Sequence, residues 1–167
     1  MADISIFRAK RDGRFTTCRA SLTPDAPLAA KEDKSNLLFT ESAMDADGAD
    51  VFFSSGALQY VESPSLAAML AKLSRKPRHL LLNKIPLHPT KAFVTLQNIG
   101  TAFCPYGVFC RHEFIAGLAR LGYRLVDEWA STESCSIPFF PEHGVANYAG
   151  LYMTLESPAK GFPFETS

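Results

Sequence analysis

The sequence has little of three features that would each indicate a class of protein. Its 17 Lys and Arg residues equal its 17 Asp and Glu residues, so no excess of positive charge marks a nucleic-acid-binding surface. No apolar run approaches the roughly 20 residues of a transmembrane helix. The charged start, with Arg8, Lys10, Arg11 and Asp12, lacks the apolar segment of a signal peptide. These absences predict a cytoplasmic protein that binds neither nucleic acid nor membrane.

Cysteine and glycine patterns are equally sparse. The chain has four cysteines and no C-x-x-C pair, and without a signal peptide we interpret the thiols as reduced and mostly buried. Structural zinc sites need closely spaced pairs of ligands, and this spacing is missing among Cys104, Cys110, His112, Cys135 and His143. We therefore expect no metal. No Gly-x-Gly occurs anywhere, which argues against a dinucleotide-dependent oxidoreductase.

The composition that is present indicates one globular domain. Hydrophobic residues make up 47% of the chain and charged residues 20%, close to the average for soluble domains. Residues 1–34 form a poorly determined N-terminal segment that is polar and lacks sustained periodicity, with only a short strand near Ile4–Phe7 and a helical turn near Leu28–Lys34 suggested. The pattern sharpens over residues 35–157, which we interpret as the domain. Residues 158–167 are interpreted as a tail.

Short apolar runs predict five strands. Most end in polar or small residues, as buried strands of a sheet do. A sixth short strand is suggested at Phe93–Gln97, inside a long proline-containing loop from Lys84 to Phe109. The five runs are Asn36–Thr40, Val51–Phe53 leading into Ser54-Ser55-Gly56, His79–Asn83, Tyr123–Trp129 and Tyr148–Leu155.

Two helices are predicted between these strands. The first begins with Ser63 as N-cap and Pro64 in the first helical position and is stopped by Pro77; its single apolar stripe consists of Leu66, Met69, Leu70 and Leu73. The second begins at Cys110, where Cys replaces the usual Ser or Thr of a capping box, and ends at Gly122, a residue favoured beyond a helix C-terminus.

This order of elements predicts the fold class. Strands that alternate with helices indicate an α/β protein with a mostly parallel, Rossmann-like sheet and helices on its faces. The last two strands are joined by a loop without a helix, which indicates an antiparallel C-terminal pair. Few doubly wound folds combine these two features.

The combination resembles the class I S-adenosylmethionine (SAM)-dependent methyltransferases. The segment Asp50–Pro64 (DVFFSSGALQYVESP) is similar to the family's fourth strand and the loop after it, and Phe114–Trp129 is similar to its helix, turn and sixth strand. The strings SGALQYVE, LQNIG and LGYRLVDEW resemble a group of bacterial proteins of this family, some from polysaccharide-biosynthesis neighbourhoods. The likeness extends from about Ser35 to Leu155 and covers the C-terminal part of the fold.

One departure from the family pattern bears on the cofactor. In the family, a glycine-rich loop after the first strand approaches the methionine part of SAM, which requires residues without a Cβ. Here the only glycine before Asn36 is Gly13. The resemblance therefore implies a partial class I methyltransferase fold whose cofactor-binding N-terminal half is absent, so that SAM binding by this chain is doubtful.

The resemblance implies a cofactor site at the carboxyl end of the fourth strand. In an open α/β sheet, ligands bind at this edge, and the small residues here would let a ligand lie against the backbone. The alternative is a tight turn that packs only its own neighbours. Glu41 and Ser42 would contact adenine by the same resemblance, or lie in an ordinary solvated loop. The implied cofactor residues are Glu41, Ser42, Ser54, Ser55, Gly56, Ala57, Leu58, Gln59 and Tyr60.

Candidate acceptor residues follow the fifth strand. Asn83 ends that strand, while Gln97, Asn98 and Tyr106 lie in the long segment that could cover the site, since long loops in compact domains are often functional. The alternative is that this segment simply covers the sheet. His88 is the candidate for a general base, because the pKa of histidine lies near neutral pH; the alternative is an exposed loop histidine.

Two functions are consistent with these features. The first is a SAM-dependent methyltransferase that acts on a small molecule or sugar, inactive if the missing half is not supplied. The second is a non-catalytic remnant or interaction module of that fold. Loss of the first strands would expose a sheet edge, so the second function predicts a homodimer formed through that edge.

Overall fold

The protein forms two β-sheets with short helices between their strands. The computed structural model describes residues 6–9, 15–18 and 37–40 as strand backbone, and residues 42–61 and 63–156 in full. The larger sheet has seven strands: β1 (Ile6–Ala9), β2 (Phe15–Cys18), β3 (Leu37–Thr40), β4 (Val51–Ser55), β5 (His79–Ile85), β9 (Tyr123–Ala130) and β10 (Ala149–Leu155). The smaller sheet consists of β6 (Leu87–His88), β7 (Phe93–Asn98) and β8 (Phe103–Cys110).

The strand order in the larger sheet is β3-β2-β1-β4-β5-β10-β9. Its first five positions reproduce the 3-2-1-4-5 order of doubly wound folds, in which the strand order reverses between strands 1 and 4. Strands β2, β3, β4, β5 and β9 run in one direction, and β1 and β10 run in the other. The predicted α/β class and the antiparallel C-terminal pair, β9 with β10, are confirmed.

The reversed direction of β1 was not predicted. β1 pairs antiparallel with β4, with Ile6 opposite Ser54 and Ala9 opposite Val51, so it ends at the edge of the sheet where β4 begins. The predicted strand at Ile4–Phe7 overlaps β1, whereas the suggested helical turn at Leu28–Lys34 lies outside the described residues. Strands β1 and β2 lie within residues 1–34, which the sequence analysis placed outside the domain, and both belong to this sheet. Among the described strands, its edges are β3 and β9.

The first predicted helix is shorter than expected. Helix α1 spans Leu66–Ala71, and its N-cap is Ser65, whose hydroxyl accepts a hydrogen bond from the Ala68 N–H at 3.3 Å. The prediction of Ser63 as cap and Pro64 as first helical residue was wrong by two positions, because Ser65 also offers a capping hydroxyl. The helix ends well before Pro77. Its apolar stripe is nevertheless buried as predicted, including Leu73 beyond the helix end.

The second helix, α2, agrees with the prediction. It spans Arg111–Ala119 with Cys110 as an N-cap that makes no side-chain hydrogen bond. Gly122 follows with φ +93°, the left-handed conformation that glycine adopts without strain. Helices α1 and α2 bury Leu70 and Leu118 in one core with Leu80, Leu82 and Leu151 of the sheet. Both described helices therefore contribute to the same core, rather than to separate cores on opposite faces.

The segment from Lys84 to Phe109, predicted as a loop with one short strand, is mostly sheet. β7 and β8 form an antiparallel hairpin with Gln97 opposite Cys104 and Thr95 opposite Tyr106, and β6 pairs in parallel with β8. Residues of β7 alternate between half-buried and exposed, as the two-residue period of a strand requires. The proline at 105 is compatible with this hairpin because it lies in an exposed stretch of β8. The smaller sheet packs against the turn that follows β4.

Candidate functional site

The turn after β4 lies at the edge of the sheet where ligands bind in open α/β folds. β4 ends at Ser55, next to the point where the strand order reverses between β1 and β4. Gly56 follows with φ +62°, a conformation that residues with a side chain rarely adopt. A 3₁₀ turn then spans Leu58–Tyr60. A Cβ at Gly56 would lie 3.8 Å from the side chain of Lys84, so backbone conformation rather than crowding requires glycine here.

Most of the predicted cofactor residues lie in the turn after β4 or next to it, whereas Ser42 lies apart from them. Ala57, Leu58 and Gln59 are buried within the turn, and Ser55 lies beside Asn83 at the end of β4. Ser42 lies elsewhere in the chain and accepts a hydrogen bond from the Met44 N–H at 3.3 Å, which caps a short 3₁₀ helix. Glu41 lies outside the described residues.

Two buried polar atoms, one at the end of β4 and one in the turn after it, have no hydrogen-bond partner among the described residues. They are the Ser54 hydroxyl and the side-chain carbonyl of Gln59, in residues that are 1% and 6% exposed. Buried polar atoms in folded proteins are nearly always satisfied. Among the described residues, these two groups therefore stand out from the otherwise satisfied polar groups around the turn.

A chain of side-chain hydrogen bonds extends from the turn across the ends of the neighbouring strands. Asn83 donates to the Ser55 hydroxyl at 3.3 Å, and its carbonyl oxygen accepts from Trp129 Nε1 at 3.1 Å. Trp129 is the only tryptophan. Its indole ring lies where a Cβ at Gly150 would be, so glycine at that position of β10 makes room for it.

A second chain of contacts links the turn to the smaller sheet. The Tyr60 hydroxyl donates to Gln97 Oε1 at 2.6 Å, and the Tyr60 ring packs edge-on against Tyr106 with centroids 5.4 Å apart. The Tyr106 hydroxyl in turn donates to the Tyr148 hydroxyl at 2.7 Å. Three of the predicted site residues, Tyr60, Gln97 and Tyr106, are thus in contact.

The contacts among Tyr60, Gln97, Tyr106 and Tyr148 border a cavity of about 390 Å³. Its size is within the range of small-molecule sites, about 300–1,000 Å³. Three of the four predicted acceptor residues line it, and the fourth, Asn83, lies at the neighbouring strand end. We call this cavity the hairpin pocket. Among the described residues its lining is Thr95, Leu96, Gln97, Asn98, Phe103, Tyr106, Ser134, Cys135, Ser136, Ile137, Pro138 and Tyr148.

The contacts of His88 do not favour a role as general base. Its Nδ1 accepts hydrogen bonds from the Thr90 and Lys91 N–H groups at 3.1 and 3.0 Å, so its Nε2 carries the proton and donates to the Glu142 carbonyl at 2.9 Å. The ring is 6% exposed. Because Nδ1 already accepts two backbone hydrogen bonds, it has no lone pair left for a substrate proton. His88 orders the turn after β6.

Several residues of the site were not identified from the sequence. Tyr148, Cys135 and Ile137 line the hairpin pocket, and Trp129 fixes Asn83. Lys84 forms an ion pair with Glu133 beside Gly56, and its hydrogen bond, followed by that of Ser131, lowers the pKa of Glu133 to about 2. A buried indole or phenol usually finds a hydrogen-bond partner, but the sequence alone does not identify which one.

The described residues fit only part of a SAM site. In class I methyltransferases the glycine-rich loop follows the first strand, and here the strand beside β4 runs in the opposite direction, so its carboxyl end lies at the other edge. The turn after β4 supplies one wall of a ligand site. Among the described residues no element supplies the opposite, glycine-rich wall.

Other kinds of site were sought in the same part of the chain. Residues 42–61 and 63–156 hold no group of three or more His, Cys, Asp or Glu side chains placed to bind a metal ion. In the described part of the chain, the helices are all too short to cross a membrane.

Comparison with known proteins supports the fold. No family model and no curated protein matches the chain. Among solved structures, an inferred SAM-dependent methyltransferase from Listeria monocytogenes superposes with a TM-score of 0.57 at 12% identity, over 82% of this chain and 78% of that one. The 1,6-didemethyltoxoflavin-N1-methyltransferase of Burkholderia thailandensis, solved with 1,6-didemethyltoxoflavin and S-adenosylhomocysteine, superposes with a TM-score of 0.51 at 17% identity. That match covers 85% of this chain and 61% of the Burkholderia chain. On its strand order, its antiparallel C-terminal pair and these superpositions, the chain has the Rossmann-like fold of class I SAM-dependent methyltransferases.

Proposed function

We propose that the protein is a SAM-dependent methyltransferase that transfers a methyl group to a small molecule or sugar. The observation that carries this proposal is the position of the hairpin pocket. The pocket is joined to the turn after β4 by the 2.6 Å hydrogen bond between Tyr60 and Gln97. A cofactor lying against that turn and an acceptor in the pocket would be neighbours, as methyl transfer requires.

The contacts around the pocket suit a reaction that depends on alignment. Methyl transfer between two bound molecules gains most from holding the acceptor atom in line with the methyl group. Tyr106 is 3% exposed and is held by Tyr60 and Tyr148 from two sides. Buried, hydrogen-bonded aromatic side chains of this kind provide the rigid support that such alignment needs.

The Burkholderia structure supports the choice of a small acceptor. It contains a small-molecule acceptor together with S-adenosylhomocysteine, on a fold shared with 85% of this chain. The transfer to the present protein rests on the shared fold and on the hairpin pocket, whose volume suits a ligand of comparable class.

Titration calorimetry with S-adenosylhomocysteine tests the cofactor part of the proposal. We expect binding to the full chain, reduced at least about tenfold in Gly56→Ala, because a Cβ at φ +62° distorts the turn after β4. The matched control is Gly48→Ala, also at positive φ but beside Arg75 near the start of β4. Equal loss of binding in both variants, or no binding by the unmodified chain, would contradict the proposal.

A second function is favoured by the reversed β1 strand. If no part of the chain supplies the wall opposite the turn after β4, the chain is a non-catalytic binding or interaction module of the methyltransferase fold. Self-association would then use β3, because β9 exposes charged residues at Arg124, Asp127 and Glu128, which discourage edge pairing. Light scattering, which measures the oligomeric state, and the calorimetric titration together distinguish the two functions. A dimer that binds no S-adenosylhomocysteine supports the module, and a monomer that binds it supports the enzyme.

A further inference from the structure

The described lining of the hairpin pocket contains no charged side chain. Its polar groups are amides and hydroxyls, such as those of Gln97, Asn98 and Ser136, and its apolar walls come from residues such as Phe103 and Ile137. An anionic ligand in this pocket would find no opposite charge among these residues, and burying an unpaired charge is costly. The lining therefore suits an uncharged molecule.

The weakly acidic groups in the lining are held in their protonated forms. Burial is the main cause that raises the pKa of Tyr106, Tyr148 and Cys135. The Tyr106 hydroxyl donates to Tyr148 at 2.7 Å, and Tyr148 is hydrogen-bonded in turn to Cys135. At neutral pH these three residues offer hydrogen bonds and no negative charge, so none of them can accept a proton from an acceptor.

Other titratable groups close to the pocket are already engaged. Glu133 precedes the lining residue Ser134 but is paired with Lys84, which makes its carboxylate a poor base. His143 contacts Glu142 through Nδ1 at 2.9 Å and the Lys91 ammonium through Nε2 at 3.5 Å. His88 uses both ring nitrogens in backbone hydrogen bonds. Among the described residues, no free imidazole or carboxylate faces the pocket.

A pocket whose described surroundings offer no general base restricts the methyl acceptor. In the transfer, a lone pair on the acceptor forms the new bond to carbon while the carbon–sulfur bond of SAM breaks, and any acceptor proton must leave to solvent. An aliphatic hydroxyl resembles water, with a pKa of about 15.7, and needs a base to react. A phenol, with a pKa of about 10, or a ring nitrogen with a free lone pair does not depend on one to the same degree.

We propose that the hairpin pocket binds an uncharged, flat aromatic or heteroaromatic acceptor that is methylated on a ring nitrogen or an acidic ring hydroxyl, and not a sugar or a sugar phosphate. This inference rests on the proposed methyltransferase function and narrows its substrate. Phe103, Tyr106 and Tyr148 line the pocket and offer aromatic rings for contact, which a planar ring exploits better than an aliphatic hydroxyl compound.

Saturation-transfer NMR on the full chain tests the ligand class with three probes: 4-hydroxyquinoline, methyl α-D-glucopyranoside and UDP-glucose. We expect transfer to 4-hydroxyquinoline only. Ser136→Trp fills the pocket and should reduce that signal at least about fivefold, since bound ligands are largely enclosed by such pockets. Ser74→Trp, at an exposed serine between α1 and β5, is the matched control and should leave the signal unchanged.

The remaining outcomes separate this inference from the proposed function. Binding of either sugar probe that Ser136→Trp abolishes overturns the inference, as does absent 4-hydroxyquinoline binding or a signal insensitive to Ser136→Trp. An assay with [methyl-³H]SAM and the same probes is then read independently. A methylated sugar would contradict the proposed acceptor class but would support the methyltransferase function. If the protein bound 4-hydroxyquinoline in the pocket but not S-adenosylhomocysteine, the methyltransferase function would be contradicted and the ligand class would still be supported.

Discussion

The two sheets of the protein differ in how deeply their residues are buried. In the larger sheet, Leu80, Leu82, Leu151 and Met153 are fully buried, and both helices pack on them. In the smaller sheet, only one face is covered, and Val94, Leu96 and Phe103 are 65–72% exposed. Burial in the first sheet provides the stability, while the second sheet adds a hairpin that borders the pocket with buried residues such as Tyr106 and with the exposed Leu96 and Phe103. The hairpin pocket therefore borders the less buried of the two sheets.

The largest effect that follows from this comparison is on stability. Leu82→Ala removes a fully buried side chain from β5 and should lower the free energy of unfolding by about 3 kcal/mol, through lost burial and a residual cavity. Leu96→Ala makes the same change on β7, where the side chain is 65% exposed, and should cost less than about 0.5 kcal/mol. Chemical denaturation measures both. Similar costs at the two positions would mean that the hairpin is more deeply packed than its exposure indicates.

The second effect concerns the contact between Trp129 and β10. Gly150→Ala places a Cβ on the indole ring of Trp129, so the ring must move away from Asn83. We expect a loss of about 2 kcal/mol, as for overpacked core sites, with a shift in the emission of this only tryptophan. Gly117→Ala is the control, because its Cβ would lie 3.5 Å from Ala67 in ordinary contact. It should leave the protein unchanged or slightly stabilised, since alanine favours helix.

An unshifted emission in Gly150→Ala would show that the indole does not lie against β10. That result would also remove the support that Trp129 gives to Asn83, and with it the link from Ser55 to the neighbouring strand ends.

The sequence predicted the larger sheet better than the smaller one. The runs at His79–Asn83 and Tyr148–Leu155 are apolar over most of their length because one face of each strand is buried and the other is at least partly covered, and that signal is local. Strand β7 was suggested at Phe93–Gln97, but its partner β8 was missed, because its apolar residues are interrupted by Pro105 and Gly107 and proline is uncommon inside strands. The direction of β1 was not predictable, since pairing direction depends on contacts between distant segments.

For the candidate site, sequence reasoning identified the elements but not the contacts. Tyr60, Gln97 and Tyr106 were predicted individually from their positions after strands or in a long segment, and the structure brings them together. The pairing of Tyr106 with Tyr148 joins residues 42 positions apart, which no local pattern encodes. His88 was a reasonable candidate by chemistry alone, and only its backbone hydrogen bonds show how it is used.

The smallest effect concerns the exposed ion pair beside Gly56. The hydrogen bond from Lys84 is the main cause that lowers the pKa of Glu133 to about 2, so Lys84→Met should raise that pKa toward its usual 4.5. A carboxylate with a lowered pKa in the folded state stabilises it above the unfolded pKa, and this contribution is lost as the pH falls from 4.5 through about 2. Because Glu133 is solvent-exposed, the change should appear in an NMR titration of its side-chain carbon while the unfolding midpoint at neutral pH barely moves. Lys72→Met, at an exposed lysine after α1, should leave the titration unchanged. A Glu133 pKa that stays near 2 without Lys84 would mean that Ser131 and the backbone alone hold this carboxylate, and that Lys84 is free to approach a ligand at Gly56.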